Sequence, residues 1–298
     1  MIQIVGTIFV AALGLAFGSF LNVCLSRWPA EESIVQPRSH CRHCSHVLAW
    51  WENVPLLSWL TLRGRCRNCR TWIGWQYPLV ELAVGVLWVA SAWHLFHSFL
   101  DPELPAIYFY KDLAIAIGKM IFYWFLIALA VLDAENFWLP NFLTVPGAVL
   151  GFVFALMSTG LGSLIPGHIV VSSIGSAVGN KAAVEMIGIL VAAGIILLIR
   201  WVYWLIRRQE GMGLGDAKLM ALLAAWLGLP GALLSFGIGV VLGAAAALVL
   251  LAMPKVQSET GGWAMKKLPL GTFLCIAGIV SSLWGHRLIS DYLRWAGF

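Results

Sequence analysis

Residues 2–25 read IQIVGTIFVAALGLAFGSFLNVCL, 24 positions without a charge, and Arg27 closes the run. About 20 predominantly apolar residues let a helix cross the hydrocarbon core of a bilayer, so this stretch predicts a membrane span. A cleaved signal peptide carries its positive charge ahead of the apolar core. Here the charge follows it, and the span is read as retained. Gly14, Gly18 and Ser19 lie about one helical turn apart, which suits close approach of a second membrane helix. Comparable runs occupy 77–100, 113–132, 140–157, 184–206, 217–228, 232–253 and 268–289. The expected fold is an all-α polytopic membrane protein of about eight transmembrane helices. The segment 161–181, made of Gly, Ser and small apolar residues, is expected to be a loop or a further dip into the membrane.

The rest of the composition agrees. Of 298 residues 60% are hydrophobic and 11% charged, with a mean hydropathy of +0.86. A soluble domain carries about 25% charge, so that class is excluded, and the runs lack the period-two alternation of a membrane β-barrel. Thirteen of the nineteen Lys and Arg fall in 27–76, 207–218 and 254–267, against four (Lys111, Lys181, Arg287 and Arg294) on the opposite loops and span ends. The positive-inside rule then puts 27–76 in the cytoplasm and the N-terminus outside. The net charge of +5 concerns orientation toward membrane lipid and implies no nucleic-acid partner. Three regions follow: a first span at 1–26, a polar cytoplasmic module at 27–76 between helices 1 and 2, and a seven-span membrane domain at 77–298.

The polar module holds Cys41-Arg42-His43-Cys44 and Cys66-Arg67-Asn68-Cys69. Two C-x-x-C pairs supply the four thiolates of a tetrahedral zinc site, each short spacer letting one turn present two ligands. Arg42, Arg65, Arg67 and Arg70 crowd the pairs and favour thiolate. Two disulfides or metal-free thiols are the alternatives, and a cytoplasmic setting argues against disulfides. Four cysteines leave no open coordination position, so the zinc is expected to be structural. It would hold together a loop with too little apolar area to fold alone. Cys24 and Cys275 lie in apolar runs and read as small buried residues.

Two of the five aspartates flank spans on the cytoplasmic side. Asp133 sits at the end of the third run, where a carboxylate opposes the helix dipole; it is either functional or the solvated start of a loop. Asp216 lies in Gly211-Met212-Gly213-Leu214-Gly215-Asp216-Ala217-Lys218, where an N-cap role competes with a functional one. The run after it is short for a bilayer crossing, which draws Asp216 below the inner surface, and ionisable groups at membrane depth are functional by default. Two carboxylates close together share one proton and activate water without metal or covalent intermediate. There is no G-x-S-x-G and no H-E-x-x-H to offer another nucleophile.

In order along the chain stand Gly18-Ser19-Phe20-Leu21-Asn22-Val23, Arg27-Trp28-Pro29, the two cysteine pairs with Trp51-Glu52-Asn53-Val54-Pro55 and Arg63-Gly64-Arg65 between them, Tyr77-Pro78-Leu79-Val80-Glu81, Gly213-Leu214-Gly215-Asp216-Ala217-Lys218 and Leu268-Pro269-Leu270-Gly271-Thr272-Phe273-Leu274. Over nearly its whole length the chain resembles the bacterial type IV prepilin peptidases, bifunctional leader peptidases and N-methyltransferases of pilus and type II secretion systems. The resemblance implies Asp133 and Asp216 as the catalytic pair of an aspartic protease in the bacterial inner membrane. It implies prepilin or pseudopilin substrates with a short basic leader, cut after a glycine at the cytoplasmic face. It also implies methylation of the new N-terminus from S-adenosylmethionine. Departures stand at Asn141, where the family commonly has Asp, and at Leu270 and Thr272, which replace Phe and Pro. Glu135 is the second candidate should Asp133 fail. Glu52, Asn53, Arg63 and Glu81 belong either to the methyl-donor site or to the solvated face of the module.

Two other classes compete. A proton-coupled transporter would place acidic groups near the bilayer midplane on related half-repeats, yet no internal repeat is visible and both aspartates lie toward one side. A non-catalytic assembly scaffold would tolerate loss of either carboxylate.

Overall fold

The computed structural model describes residues 1–100, 106–163, 174–209, 213–252 and 268–297. Outside 31–75, which holds only short helical turns, these are mostly helical, with no strand among the described residues and two isolated bridges, His40 to Val47 and Arg65 to Trp72. The helices are α1 (Ile2–Arg27), the short α2 (Leu57–Thr61), α3 (Gln76–Leu100), α4 (Ala106–Asn136), α5 (Asn141–Ser163), α6 (Ile174–Arg207), α7 (Leu214–Ala252) and α8 (Leu270–Trp295). Among the described residues six are long and apolar enough to cross a membrane: α1, α4, α5, α6, α7 and α8. The expected count of eight differs because the runs 217–228 and 232–253 form one element, α7, and because α3 at 77–100 is not among the six. α7 is bent at Gly228, whose φ of 69° and ψ of 171° are non-helical.

Several helices also outrun the apolar stretches. α4 begins at Ala106, so Lys111 and Asp112, counted with the loops, sit inside its first turns. α6 likewise takes in Lys181, which pairs with Glu185 one turn on. Hydropathy marks the depth a bilayer needs, whereas the backbone continues to bond along the axis into the polar zone. Within 161–181, residues 164–173 lie outside the described residues, and the flanks belong to α5 and α6. Gly211 and the basic loop residues Lys255, Lys266 and Lys267 lie outside them too.

The chain divides into two compact units, Met1–Ala128 and Leu129–Phe298. In the first, α1 packs along α3 through its small residues. A Cβ on Gly14 would stand 2.9 Å from Gly85 Cα, and one on Gly18 would stand 2.7 Å from Glu81 Cα. The glycine spacing thus does what it predicted, bringing backbones together where dispersion and not water drives association. Asn22 Nδ2 donates to the Tyr77 carbonyl at 2.9 Å, tying the end of α1 to the start of α3. Arg27 is buried and donates to the carbonyls of Ser33 and Pro37 at 2.7 and 2.6 Å, which folds the chain back as it leaves α1.

In the second unit α7 packs against α5, α6 and α8. Its first piece is buried on all sides: Leu219, Met220, Leu222, Leu223 and Ala224 have no exposed surface. Trp226 fills the groove of α5, donating to the Gly147 carbonyl at 2.8 Å, with Gly151 leaving it room. Large apolar side chains on the outer faces of α1 and α6, such as Ile8, Phe9, Ile187 and Leu190, stay exposed. In a bilayer that surface meets lipid.

Candidate active site and metal centre

The metal centre is in the first unit. The ligand atoms of Cys41, Cys44, Cys66 and Cys69 all lie within 4.8 Å of one another. Cys41 Sγ is 3.8 Å from Cys69 Sγ, and Cys44 Sγ is 3.9 Å from Cys66 Sγ. Zinc–sulfur bonds of about 2.3 Å arranged tetrahedrally need sulfurs about 3.8 Å apart, so the donor set fits that ion. All six cysteines are unbridged.

Two matching turns build the cluster. Ser45 N bonds to Cys41 O at 2.9 Å while Cys41 N bonds to His46 O at 2.9 Å; Arg70 N bonds to Cys66 O at 3.0 Å while Cys66 N bonds to Thr71 O at 2.9 Å. Ser45 and Arg70 both take left-handed backbone, φ 57° and 59°, a costly conformation for non-glycine residues that the turns impose in order to aim both thiols inward. The Thr71 hydroxyl, 3.2 Å from Cys69 Sγ, and the Thr71 backbone hold that thiol well below the usual cysteine range. Cys69 is therefore the thiolate of the set, whereas burial and the neighbouring thiols push Cys66 up to about 11.

The two aspartates are in the second unit. Asp133 belongs to the last turn of α4 and is buried at 6% exposure, so the reading of a solvated loop start fails. Phe137 ends that helix in a left-handed conformation, φ 52°, with its N–H on the Asp133 carbonyl. Asp216 is in the first turn of α7 and is also buried, at 9%. It is not the N-cap; its Oδ2 reaches back to accept the Gly213 N–H at 3.2 Å, as a carboxylate at the third helical position does.

The Asp133 charge bears on Asp216, and both carboxylates bear on the fully buried Cys275. Glu135, the second candidate, is exposed. Lys218 Nζ donates to Asn141 Oδ1 at 2.6 Å, so Asn141 preserves by a neutral hydrogen bond the link that an Asp there would make as an ion pair.

Two residues quoted in a motif but given no role, Thr272 and Gly271, complete the site together with Leu139. The Thr272 N–H, an unsatisfied donor of the first turn of α8, donates to Asp133 Oδ2 at 2.7 Å. The Thr272 hydroxyl lies 3.2 Å from the same oxygen and 3.0 Å from the Ala130 carbonyl. Gly271 gives Asp133 its space: a Cβ there would stand 2.9 Å from both Cγ and Oδ2. Leu139 wedges between the glycines, 3.0 Å from where a Cβ of Gly215 would be and 3.0 Å from one of Gly271.

Residues 12–95 match the family model described as the bacterial peptidase A24 N-terminal domain, and residues 120–248 match the type IV leader peptidase family. A prepilin leader peptidase/N-methyltransferase from Stutzerimonas stutzeri is 32% identical over 95% of this chain and 92% of its own length. The chain belongs to the type IV leader peptidase family. The enzyme of the same name from Pseudomonas aeruginosa is 30% identical over 96% of this chain and 93% of its own, and that from Aeromonas hydrophila 32% over 95% and 92%. No solved structure matches. The metal centre falls in the first matched segment and both aspartates in the second. Gly271 and Thr272 lie beyond both, so the contact that holds Asp133 is outside the part of the chain that the family models cover.

Proposed function

We propose that this chain is an inner-membrane aspartic endopeptidase that removes the short basic leader of type IV prepilins and pseudopilins after a glycine, and that it N-methylates the new N-terminus. What supports the peptidase is that Asp133 and Asp216 are both buried, at the end of α4 and the start of α7, with the Asp133 charge bearing on Asp216. Two such carboxylates share a proton. The ionised member takes a proton from water, whose oxygen attacks the scissile carbonyl carbon; the neutral member hydrogen-bonds the carbonyl oxygen. As the intermediate collapses the C–N bond breaks and the amine leaves protonated. The Gly213 N–H and the Thr272 donors fix the two side chains, so this geometry is set before substrate arrives.

The same contacts support eight crossings. Asp216 opens α7 and Thr272 opens α8, and both lie beside Asp133. For both helices to start on one side, α7 must go across and return, with Gly228 as its turning point. Adding α3 gives eight, with the N-terminus outside and the zinc module and carboxylates on the cytoplasmic side. Zinc held by Cys41, Cys44, Cys66 and Cys69 is structural, since four thiolates fill its coordination. Methylation rests on family membership and on the bifunctional names of the relatives; S-adenosylmethionine, when bound, would supply an electrophilic methyl group for the new N-terminal amine.

The test is detergent-solubilised protein incubated with a prepilin and followed by mass spectrometry, beside Asp133→Asn and Asp216→Asn. Wild type should cut after glycine and, with S-adenosylmethionine, add about 14 Da. Both variants should lose cleavage while keeping zinc. Cleavage surviving in either variant sinks the dyad.

A further inference from the structure

Resting on the methylating half of that reading, we infer that the methyl donor binds in a cavity of the first unit enclosed by the ends of α1 and α3 and the cysteine module, with Glu81 facing its sulfonium and tryptophans of the module taking its adenine. The cavity measures about 310 Å³, within the range of small-molecule sites. It is separate from the carboxylate pair, which belongs to the second unit.

The donor set fits a flat, cationic, polar-edged molecule. Glu81 and Glu52 both line the cavity and are buried, at 8% and 6% exposure. Glu81 Oε2 accepts the Leu56 N–H at 2.8 Å, and Ser19 and Asn22 hydrogen-bond its carboxylate. Yet Glu81 forms no ion pair among the described residues. The three guanidiniums that line the cavity have partners other than Glu81: Arg27 the carbonyls of Ser33 and Pro37, Arg42 the Ser26 carbonyl and Glu32, and Arg67 the Trp51 ring, 5.0 Å from its centroid. A buried carboxylate without a counter-charge is costly unless something cationic pairs with it.

Glu52 anchors the Ala49 N–H through Oε2 at 2.7 Å with His46 Nε2 3.5 Å from the same oxygen, and its buried Oε1 has no hydrogen-bond partner among the described residues. Trp59 and Trp72, centroids 5.7 Å apart, also line the cavity. Their ring faces suit both an adenine and a sulfonium, which aromatic quadrupoles attract.

A purely structural duty for Glu81, holding Leu56 in its left-handed turn (φ 58°), predicts something different. Glu81→Gln keeps a carbonyl oxygen for the Leu56 N–H and removes the charge, together with one of the two acceptor oxygens that Ser19 and Asn22 share. A second variant occludes the space: Gly74 lines the cavity, and a Cβ there meets nothing within 4 Å, so Gly74→Phe is accommodated by the backbone.

The experiment is isothermal titration of the full detergent-solubilised chain with S-adenosylmethionine and, separately, with S-adenosylhomocysteine, whose sulfur is uncharged. Melting temperature and zinc content report the fold. Glu81→Gln should weaken S-adenosylmethionine binding about tenfold or more relative to S-adenosylhomocysteine, the scale of one lost charge contact. Gly74→Phe should abolish binding of both. If both variants bind S-adenosylmethionine as wild type does, the cavity is not the donor site, although the methylating function stands. If Glu81→Gln weakens both ligands equally, the carboxylate is structural and the assignment of the sulfonium is overturned. Wild type that neither binds S-adenosylmethionine nor methylates overturns the functional reading instead.

Discussion

Adding one methyl group at Gly271 should disable peptide cleavage without unfolding the protein. The new Cβ would stand 2.9 Å from Asp133 Cγ, 2.9 Å from Oδ2 and 3.0 Å from Leu139 Cδ1, where ordinary contact begins at 3.4 Å. Leu139 can swing by a few tenths of an ångström because its tip is free to turn. Asp133 cannot give so easily. It is buried, and the Thr272 N–H pins its Oδ2 at 2.7 Å. Relief at Asp133 therefore needs a shift of at least about 0.5 Å, stretching a hydrogen bond to a carboxylate that is worth about 1.5–3 kcal/mol. Overpacking on its own costs about 1–3 kcal/mol, which a folded membrane domain tolerates. A catalytic group displaced by about 1 Å loses roughly a hundredfold in rate, so half that displacement should cost about tenfold or more.

The assay is leader cleavage of a purified prepilin under saturating and subsaturating conditions. Gly271→Ala should lower kcat by about tenfold or more and leave KM within a factor of about two, because the carboxylate acts on the reacting bond and not on the bulk of the substrate. Gly237→Ala is the control: a Cβ there meets nothing within 4 Å, and cleavage should be unchanged. A Gly271→Ala protein that cuts at the wild-type rate would show that Asp133 either sits elsewhere or takes no part in the reaction.

Other outcomes follow from the same geometry. Thr272→Val keeps the backbone donor to Asp133 and loses the hydroxyl, whereas Thr272→Pro loses both; proline is tolerated in the first turn of a helix. Cleavage rates should fall in the order wild type, Val, Pro, with Pro costing about 1.5–3 kcal/mol of activation free energy, and equal rates would remove Thr272 from the positioning of the dyad. Asn141→Asp turns the Lys218 hydrogen bond into an exposed ion pair worth at most about 1 kcal/mol, so cleavage should stay within about twofold. Cys66→Ser removes one of four ligands and should bring zinc, measured by atomic emission, close to zero with faster maleimide labelling of Cys41 and Cys44; retained stoichiometric zinc would exclude a four-cysteine site.

What could be seen in the sequence divides along a physical line. A bilayer imposes a length and a polarity on each helix, and a tetrahedral ion imposes a spacing on its ligands. Both constraints act over a few residues, so the apolar runs, the glycine ridge of α1 and the two cysteine turns were legible. Helix ends were not, because Lys111, Asp112 and Lys181 extend helices past the apolar depth without altering the pattern within it. The support of Asp133 was hidden for another reason. Thr272 lies 139 positions away, and nothing local to either residue marks the pairing. As a departure from the resembling pattern it read as tolerated small-residue variation.

That departure has a chemical consequence. Proline has no N–H, so a chain with Pro at position 272 cannot offer Asp133 the backbone donor seen here, nor a hydroxyl. In this protein the first turn of α8 therefore does what caps do elsewhere, but across elements: the helix finds an acceptor for an orphan donor, and the acceptor is a catalytic candidate fixed in one rotamer. The Asp216 carboxylate is treated in the same way by the Gly213 N–H within its own turn. Each aspartate thus has its Oδ2 tied to a helix terminus. This reconciles the structural and functional readings of the two residues, since the backbone donor that explains why each carboxylate is kept buried also limits how it can turn.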